Sequence, residues 1–517
     1  MIRHPLTAVG AILLIGLVSA FAGEKPGQPI TAAAFGDRET NADQTCGDTW
    51  DSAWLAHGRV LVQYNDGDGF SAPHQNVHHD GLCELHGTPE NLATIHGEDL
   101  NPGKLGSFLG QTYSTGLYEL DGALYHFICR SIQIPGKWAF YDTCLYKSTD
   151  GGANWINERG EKNIYMPEQL ATSTFPDERW GEVNFVKYGR GGEAPDIDLA
   201  HKYAYLSAGS YLARVRRDDL RAWTTTFDHT KIEYYCGLDS VDGESDAHWT
   251  HDIGRATSSV HSGRAPSTIV WNPGLKRYLS VSALGDSWQN PPLSCTCYLE
   301  EAPHPWGPWT EVAAEYIEPR VGDNLSWFYP MQPFMSADGL KMWLTISGRK
   351  PYGLQFIPLY LSTQPVITRM ASDARLHGTQ FASVIKGSLS PQYIGGFTKT
   401  GDGCTFAFSV KTAGTYGLSY RYYCDADNQG VNLLINGQPH GKLSIGNTLS
   451  AQYHGHLILD STSPGQGPWT EGSARLTLAS GQALIGFQLA PGDPAPSRFL
   501  LDRVQLVELP PGTPTGQ

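Results

Sequence analysis

The chain has 517 residues and a formal net charge of -15, with no basic stripe, so the electrostatic footprint of phosphate-backbone binding is missing and nucleic acid is excluded as a partner. Its 58 Gly, 33 Pro, 14 Trp and 25 Tyr favour an all-β, turn-rich architecture, and the length admits two or three domains at roughly 100–200 residues each. Abundant aromatic rings with scattered carboxylates suit sugar binding, because rings stack on the C–H faces of sugars while carboxylates accept from their hydroxyls.

Met1-Ile2-Arg3-His4 precedes an apolar run from Ala11 to Ala22 that contains Ala20-Phe21-Ala22, a small-x-small site. This pattern is that of a secretory signal peptide cleaved after Ala22. Nothing later approaches the ~20 apolar residues that span a bilayer, so a secreted or periplasmic protein without membrane insertion is expected. Residues 23–44 read as a linker.

From residue 45 to 362, short aromatic and β-branched runs alternate with Gly, Asp and Pro. Arg59–Tyr64, Gly122–Ile128, Tyr203–Leu206 and Arg277–Val281 each read as a strand, whereas helical periodicity is confined to Pro167–Thr172 and Asp218–Ala222. Ser148-Thr149-Asp150-Gly151-Gly152-Ala153-Asn154-Trp155 fits the Ser-x-Asp-x-Gly-x-x-Trp turn, the Asp box, which joins outer strands of β-propeller blades. Its Ser and Asp oxygens accept from backbone N–H groups, its glycines supply positive φ, and its Trp packs beneath the blade. Looser copies stand at Ser336–Trp343 and Asp218–Trp223, and spaced, decaying copies indicate a blade repeat.

After a linker at 363–370 the pattern changes. Thr405–Val410, Tyr416–Tyr423, Gly430–Gly437, Ala474–Leu478 and Phe499–Leu506 alternate cleanly and are separated by Gly or Asn-Gly turns, as half-buried antiparallel strands are. They predict a β-sandwich over 371–509, and the Pro-rich tail 510–517 is expected to be disordered. Nine cysteines in an exported chain permit disulfides and leave one over. A hairpin around Thr412-Ala413-Gly414 would bring Cys404 and Cys424 within the ~4.4–6.8 Å Cα separation of a bridge. Cys295-Thr296-Cys297 is one residue short of a metal half-site, and structural cysteines are the commoner case.

Two resemblances bear on function. Tyr393-Ile394-Gly395-Gly396-Phe397, Gly414-Thr415-Tyr416 with Arg421-Tyr422, Asn436-Gly437, Ala479-Ser480-Gly481 and Leu501-Asp502 resemble the carbohydrate-binding modules of the galactose-binding-like sandwich clan. That resemblance implies glycan held in the loops at one end of the sandwich, with Tyr453 and Trp469 as stacking residues, and a structural calcium ion whose ligands it does not place. Packing in the core or rim is an equally good account of Trp469. The segments Gly47–Trp54, Tyr64–Phe70, Val183–Gly189, Leu212–Val215, Tyr235–Asp239, Ser267–Leu279, Pro305–Trp309 and Met335–Gly339, with the Asp box, resemble a secreted five-bladed propeller family some of whose relatives are endo-acting D-arabinan hydrolases. The chain departs from that family at Glu193-Ala194-Pro195-Asp196-Ile197-Asp198, where the family has an Ala-Arg-Asp run. No activity follows from the propeller alone.

Cleaving a glycosidic bond needs one carboxyl to protonate the leaving oxygen and another to activate water or attack the sugar, so two acids with different pKa values must share a cleft at ~5–9.5 Å. Asp48 and Asp51 stand at the entry to the first strand, three residues apart, so only one can face the channel. Asp48 is preferred and Asp51 held in reserve, against the plainer account that either caps a turn. Glu182 and Asp239, from later blades, are candidates for the partner acid, and Trp50, Arg264 and Tyr329 for substrate contacts. Asp66 and Asp68 read as a tight turn, with a mouth-facing loop as the alternative. His74, His78, His79, His86 and His96 crowd with Asp80, which suits either a metal site or the His/Tyr pair of a polysaccharide lyase, but their spacing matches no zinc motif. In a lyase Arg264 and Tyr329 would matter more than Asp48. The expectation is a monomeric, cofactor-independent hydrolase acting on a polysaccharide or oligosaccharide, with a uronate lyase and a non-catalytic lectin as rivals.

Overall fold

The computed structural model describes residues 25–36, 39–40, 45–70, 80–88, 91–100, 112–134, 137–163, 174–175, 178–238, 247–259, 268–284, 295–317, 326–349, 352–383, 392–424, 429–445, 470–489 and 499–513. Within these bounds the molecule is a five-bladed β-propeller followed by a β-sandwich.

Each blade is an antiparallel sheet. Blade 1 runs outward from Cys46–Asp48 and Ser52–Trp54 through Val60–Gly69 and Asp80–Thr88 to Asn91–Asp99. Blade 2 comprises Thr112–Leu120, Ala123–Ile134, Lys137–Ser148 and Ile156–Asn157. Blade 3 comprises Asn184–Phe185, Tyr203–Ala208, Tyr211–Arg216, Glu233–Leu238 and Ala247–Thr250. Blade 4 comprises Thr268–Asn272, Arg277–Leu284, Cys295–Ala302 and Thr310–Ile317. Blade 5 takes Ser326–Met335, Lys341–Arg349 and Tyr352–Ser362 from the end of the propeller and its outermost strand, Ala32–Phe35, from the start of the chain. Residues 32–35 and 39–40, expected to lie in a linker, are therefore strands that close the ring.

The innermost strands touch in a circle: Ser52–Trp54 against Thr112–Leu120, that strand against Asn184–Phe185, then Thr268–Asn272, then Ser326–Met335, which returns to Ser52–Trp54. Burial follows the same geometry, with one apolar layer between each pair of blades. Trp50, Tyr64, Trp343 and Phe356 fill the layer between blades 1 and 5, and Phe127, Trp180 and Phe185 fill that between blades 2 and 3. The alternation of strand side chains makes this possible, since each sheet must be apolar on both faces to sit between two others.

The Ser148–Trp155 turn joins the third and fourth strands of blade 2. Ser148 Oγ accepts from the Gly152 N–H at 2.9 Å, Asp150 Oδ1 accepts from the Asn154 N–H at 2.8 Å, and the Trp155 ring is buried. The copy at Ser336 instead joins the first and second strands of blade 5, so the two turns do not occupy equivalent places in the blade. Arg217–Ala222 is a short α-helix between the third and fourth strands of blade 3; Pro167–Thr172 lies outside the described residues.

In the sandwich, Gln380–Ser383, Gln392–Gly395, Phe499–Glu508, Gly414–Cys424 and Thr470–Leu478 form one sheet, and Arg375–His377, Gly403–Val410, Gly481–Leu489, Gln429–Ile435 and Gln438–Ile445 the other. Phe406, Phe408, Leu418, Ile485, Phe487 and Leu501 fill the space between them. Cys404 lies opposite Phe487 in one sheet and Cys424 opposite Phe499 in the other, so Thr412-Ala413-Gly414 carries the chain across the core and is not a hairpin turn. The expected Cys404–Cys424 disulfide is absent, and no disulfide occurs among the described residues. Ile367–Met370, expected as linker, pairs with Phe499–Glu508, and Pro510 in the expected disordered tail accepts a turn hydrogen bond from the Thr513 N–H. The sandwich meets blade 5 through Ala34, Tyr360, Val507 and Leu509, with the Ser362 hydroxyl donating to the Glu508 carbonyl at 2.6 Å.

Candidate active site at one mouth of the propeller channel

A belt of side-chain hydrogen bonds crosses from blade to blade just inside the channel. Asn65 accepts from the Ser114 N–H at 2.9 Å and donates to the Ser114 carbonyl at 2.9 Å, joining blades 1 and 2. The Thr115 hydroxyl donates to the Val183 carbonyl at 2.9 Å and the Gly116 N–H to Asn184 Oδ1 at 3.1 Å, joining blades 2 and 3. Residues just before these on the innermost strands lie at one mouth of the ring. They include Asp48, Tyr113 and Glu182.

Asp48 is buried and accepts from the Tyr352 hydroxyl of blade 5 at 3.0 Å. The next residue, Thr49, has φ 53, a left-handed conformation that a β-branched side chain adopts only when its surroundings hold it there. Those surroundings are visible: its N–H donates to Ser347 Oγ at 2.9 Å, and its hydroxyl accepts from the Asn65 amide. The kink directs Asp48 toward Tyr352, while Trp50 turns inward between Tyr64 and Phe70, fully buried, its indole N–H on the Gly47 carbonyl at 3.1 Å. Trp50 therefore offers no face to a sugar, contrary to the expectation that it contacts substrate.

A second carboxylate belongs to the same cluster. Asp66 and Asp68 are not in a turn; they lie within the strand Val60–Gly69, and Asp66 accepts from the Tyr113 hydroxyl at 3.1 Å. Burial first, then the negative charges of Asp66 and Asp48, raise the Tyr113 phenol above its ordinary range, and burial with Asp48 and then Asp66 does the same to Tyr352. Each hydroxyl thus senses both carboxylates, which places Asp48, Asp66, Tyr113 and Tyr352 in one group drawn from blades 1, 2 and 5.

Glu182 precedes the innermost strand of blade 3 and is half-buried. Gly181 beside it has no room for a Cβ, which would come 2.3 Å from the Phe140 carbonyl oxygen, and the Gly181 carbonyl accepts from the Thr143 hydroxyl at 2.6 Å. Desolvation pushes the Glu182 carboxyl up to about 7. A group so placed holds its proton near neutral pH.

Asp51 lies deeper. Fully buried, it accepts from Lys187 Nζ at 2.8 Å and from the Leu117 N–H at 3.1 Å, so it sits in an ion pair between blades 1 and 3. Lys187 also donates to the Leu117 carbonyl, and its backbone pairs with blade 4 on both sides, the Lys187 N–H reaching Ile269 at 3.0 Å and the Trp271 N–H reaching Lys187 at 2.7 Å. Burial lowers the Lys187 amine from its usual value, and Asp51 opposes that shift.

Tyr329 lies on the innermost strand of blade 5 opposite Thr345. Asp239, Arg264, Tyr453 and Trp469 lie outside the described residues, as do His74, His78 and His79. His86 pairs with His96 on neighbouring strands of blade 1, and among the described residues no group of three or more His, Cys, Asp or Glu could hold a metal, in the propeller or in the sandwich. Sequence reasoning missed Tyr113, Tyr352 and Lys187, and it named Asp66 as part of a turn, with a mouth-facing loop as the alternative. Of the three missed, Lys187 left a signal, as a charge between the strand-forming run Val183-Asn184-Phe185-Val186 and Tyr188.

No family model and no curated protein matches the chain. Among solved structures, the exo-β-1,3-galactanase of Phanerochaete chrysosporium aligns over 93% of this chain and 100% of its own, at 11% identity and a TM-score of 0.35. A family 35 carbohydrate binding module from Clostridium thermocellum aligns over 28% of this chain and 98% of its own, at 16% identity and a TM-score of 0.23. The GH26-CBM35 β-(1,4)-mannanase of Podospora anserina aligns over 29% of each chain, at 23% identity and a TM-score of 0.23, so this chain spans less than a third of that enzyme.

Proposed function

We propose that this chain is an exported glycoside hydrolase that cleaves a polysaccharide at the mouth of the propeller channel, with the sandwich as its glycan-binding module. Glu182 is the general acid and donates its proton to the leaving glycosidic oxygen. Asp48 is the second carboxylate, which takes the proton of an attacking water or attacks the sugar itself. The observation that supports this assignment is the contrast in their surroundings: desolvation pushes the Glu182 carboxyl up to about 7, whereas Asp48 accepts a hydrogen bond from the Tyr352 hydroxyl. Tyr113 and Asp66 complete the mouth and are available to the hydroxyls of the bound sugar.

Digestion of a glycan panel tests the assignment. The wild-type chain is expected to release new reducing ends from at least one polymer, and Asp48→Asn and Glu182→Gln are expected to lose that activity. Ultraviolet-absorbing unsaturated uronates among the products would assign a lyase instead. Retention of glycan without any product would assign a lectin.

A further inference from the structure

We infer that the propeller holds a second sugar site at the channel end opposite Asp48, a pocket between blades 1 and 5 that takes one unit of the glycan between an aromatic wall and a fixed carboxylate. This rests on the reading of the chain as carbohydrate-active. The pocket has a volume of about 420 Å³ and is lined by Trp54, His57, Arg59, Glu84, His86 and Phe334, among others. Trp54 ends Ser52–Trp54, which follows the strand Cys46–Asp48 in blade 1, and Phe334 stands near the end of the innermost strand of blade 5. Both rings therefore line the pocket where Ser52–Trp54 and Ser326–Met335 close the circle of inner strands.

The chemistry of the lining selects the ligand. Arg59, 42% exposed, clasps one oxygen of Glu84, which is only 13% exposed, and the other Glu84 oxygen lies 4.0 Å from His86 Nε2. The hydrogen bond from Arg59 holds the Glu84 carboxyl below its usual value, so it remains an acceptor in the neutral range. A free anion is disfavoured because Arg59 is already neutralised. A metal is disfavoured because no set of three ligands converges among the described residues. A wholly apolar molecule would bury the charged rim without partners. A sugar satisfies both halves: its C–H face covers Trp54 and Phe334 while adjacent hydroxyls donate to Glu84 and accept from Arg59.

Affinity electrophoresis of the full chain carrying Glu182→Gln, which prevents turnover, tests the site in gels containing arabinogalactan, arabinoxylan, mixed-linkage β-glucan or galactomannan. Adding Trp54→Ala or Glu84→Gln is expected to weaken retention in the retarding gel by roughly three- to tenfold, while Trp54→Phe keeps most of it. Glu84→Gln preserves the shape of the side chain and stands as the readout should Trp54→Ala fail to fold. A parent retarded by a glycan to the same extent as both variants would overturn this pocket and leave the hydrolase assignment standing. A parent retarded by none of the four would overturn the pocket as a site for these polymers, and the digestion panel would then decide the hydrolase assignment separately.

Discussion

Two levels of the same channel use the same acid differently. At the mouth, Asp48 and Asp66 accept from tyrosine hydroxyls; one level down, Asp51 is paired with Lys187 and fastened to the Leu117 backbone. Asp48 and Asp51 are three residues apart and come from the same blade. What distinguishes the two positions is the partner that a neighbouring blade supplies, a hydroxyl from blade 5 or an ammonium from blade 3.

That contrast can be broken by mutation. Asp48→Asn is expected to lower glycan turnover by about 10²–10⁴-fold with little change in the melting midpoint, read by reducing-end release and calorimetry. At the lower level Lys187→Met is expected to cost about 3–5 kcal/mol of stability by leaving the buried Asp51 charge uncompensated, and Asp51→Leu with Lys187→Met is expected to recover much of it. Denaturant titration of the single and double variants checks this, and equal losses in both would remove the ion pair from the account.

Smaller effects sharpen the picture. Activity is expected to fall as pH rises through about 7, where Glu182 loses its proton, and the partly active Glu182→Asp variant should move that basic limb while Asp66→Asn should not. Tyr352→Phe, which removes a hydrogen bond to a charged group, is expected to lower turnover by about tenfold.

A last effect concerns stability below neutral pH and not turnover. His126 is fully buried beside Trp155, and neither ring nitrogen has a hydrogen-bond partner among the described residues. Burial first, then Lys187, depresses its pKa to about 3 in the folded state. The unfolded chain therefore binds the proton that the folded chain refuses, and stability contributed by neutral His126 is lost as pH falls from about 6.5 toward 3. His126→Leu should flatten that portion of the stability-against-pH curve.

Much of the propeller was legible because its strands announce themselves locally: runs such as Tyr203–Leu206 are aromatic and apolar throughout, and Gly or Asp bounds them. What local pattern could not show was pairing over distance. Ala32–Phe35 is short, rich in alanine and meaningless until Tyr352–Ser362 lies beside it, more than 300 residues later. Asp66 was hidden for a related reason. Asn65-Asp66-Gly67-Asp68-Gly69 has the composition of a turn, yet Gly67 is required because a Cβ there would come 2.1 Å from the Cys46 carbonyl oxygen of the adjacent strand. The glycines permit close packing of strands, and sequence alone does not separate that use from turning. Cys404 and Cys424 mislead similarly, since Thr412-Ala413-Gly414 is compatible with a hairpin and with an arch between sheets. In the candidate site Asp48 and Glu182 were named from their places before inner strands, while Tyr113 and Tyr352 acquire meaning only when blades 2 and 5 flank blade 1.

The most direct test is a crystal structure of the Glu182→Gln chain soaked with an oligosaccharide of a polymer that the wild type cleaves. The account predicts a glycosidic oxygen within hydrogen-bond reach of residue 182, with Asp48 on the opposite side of the same sugar and Asp51 still bound to Lys187. A ligand ordered away from this mouth, with Asp48 and residue 182 both out of reach of the glycosidic bond, would contradict it.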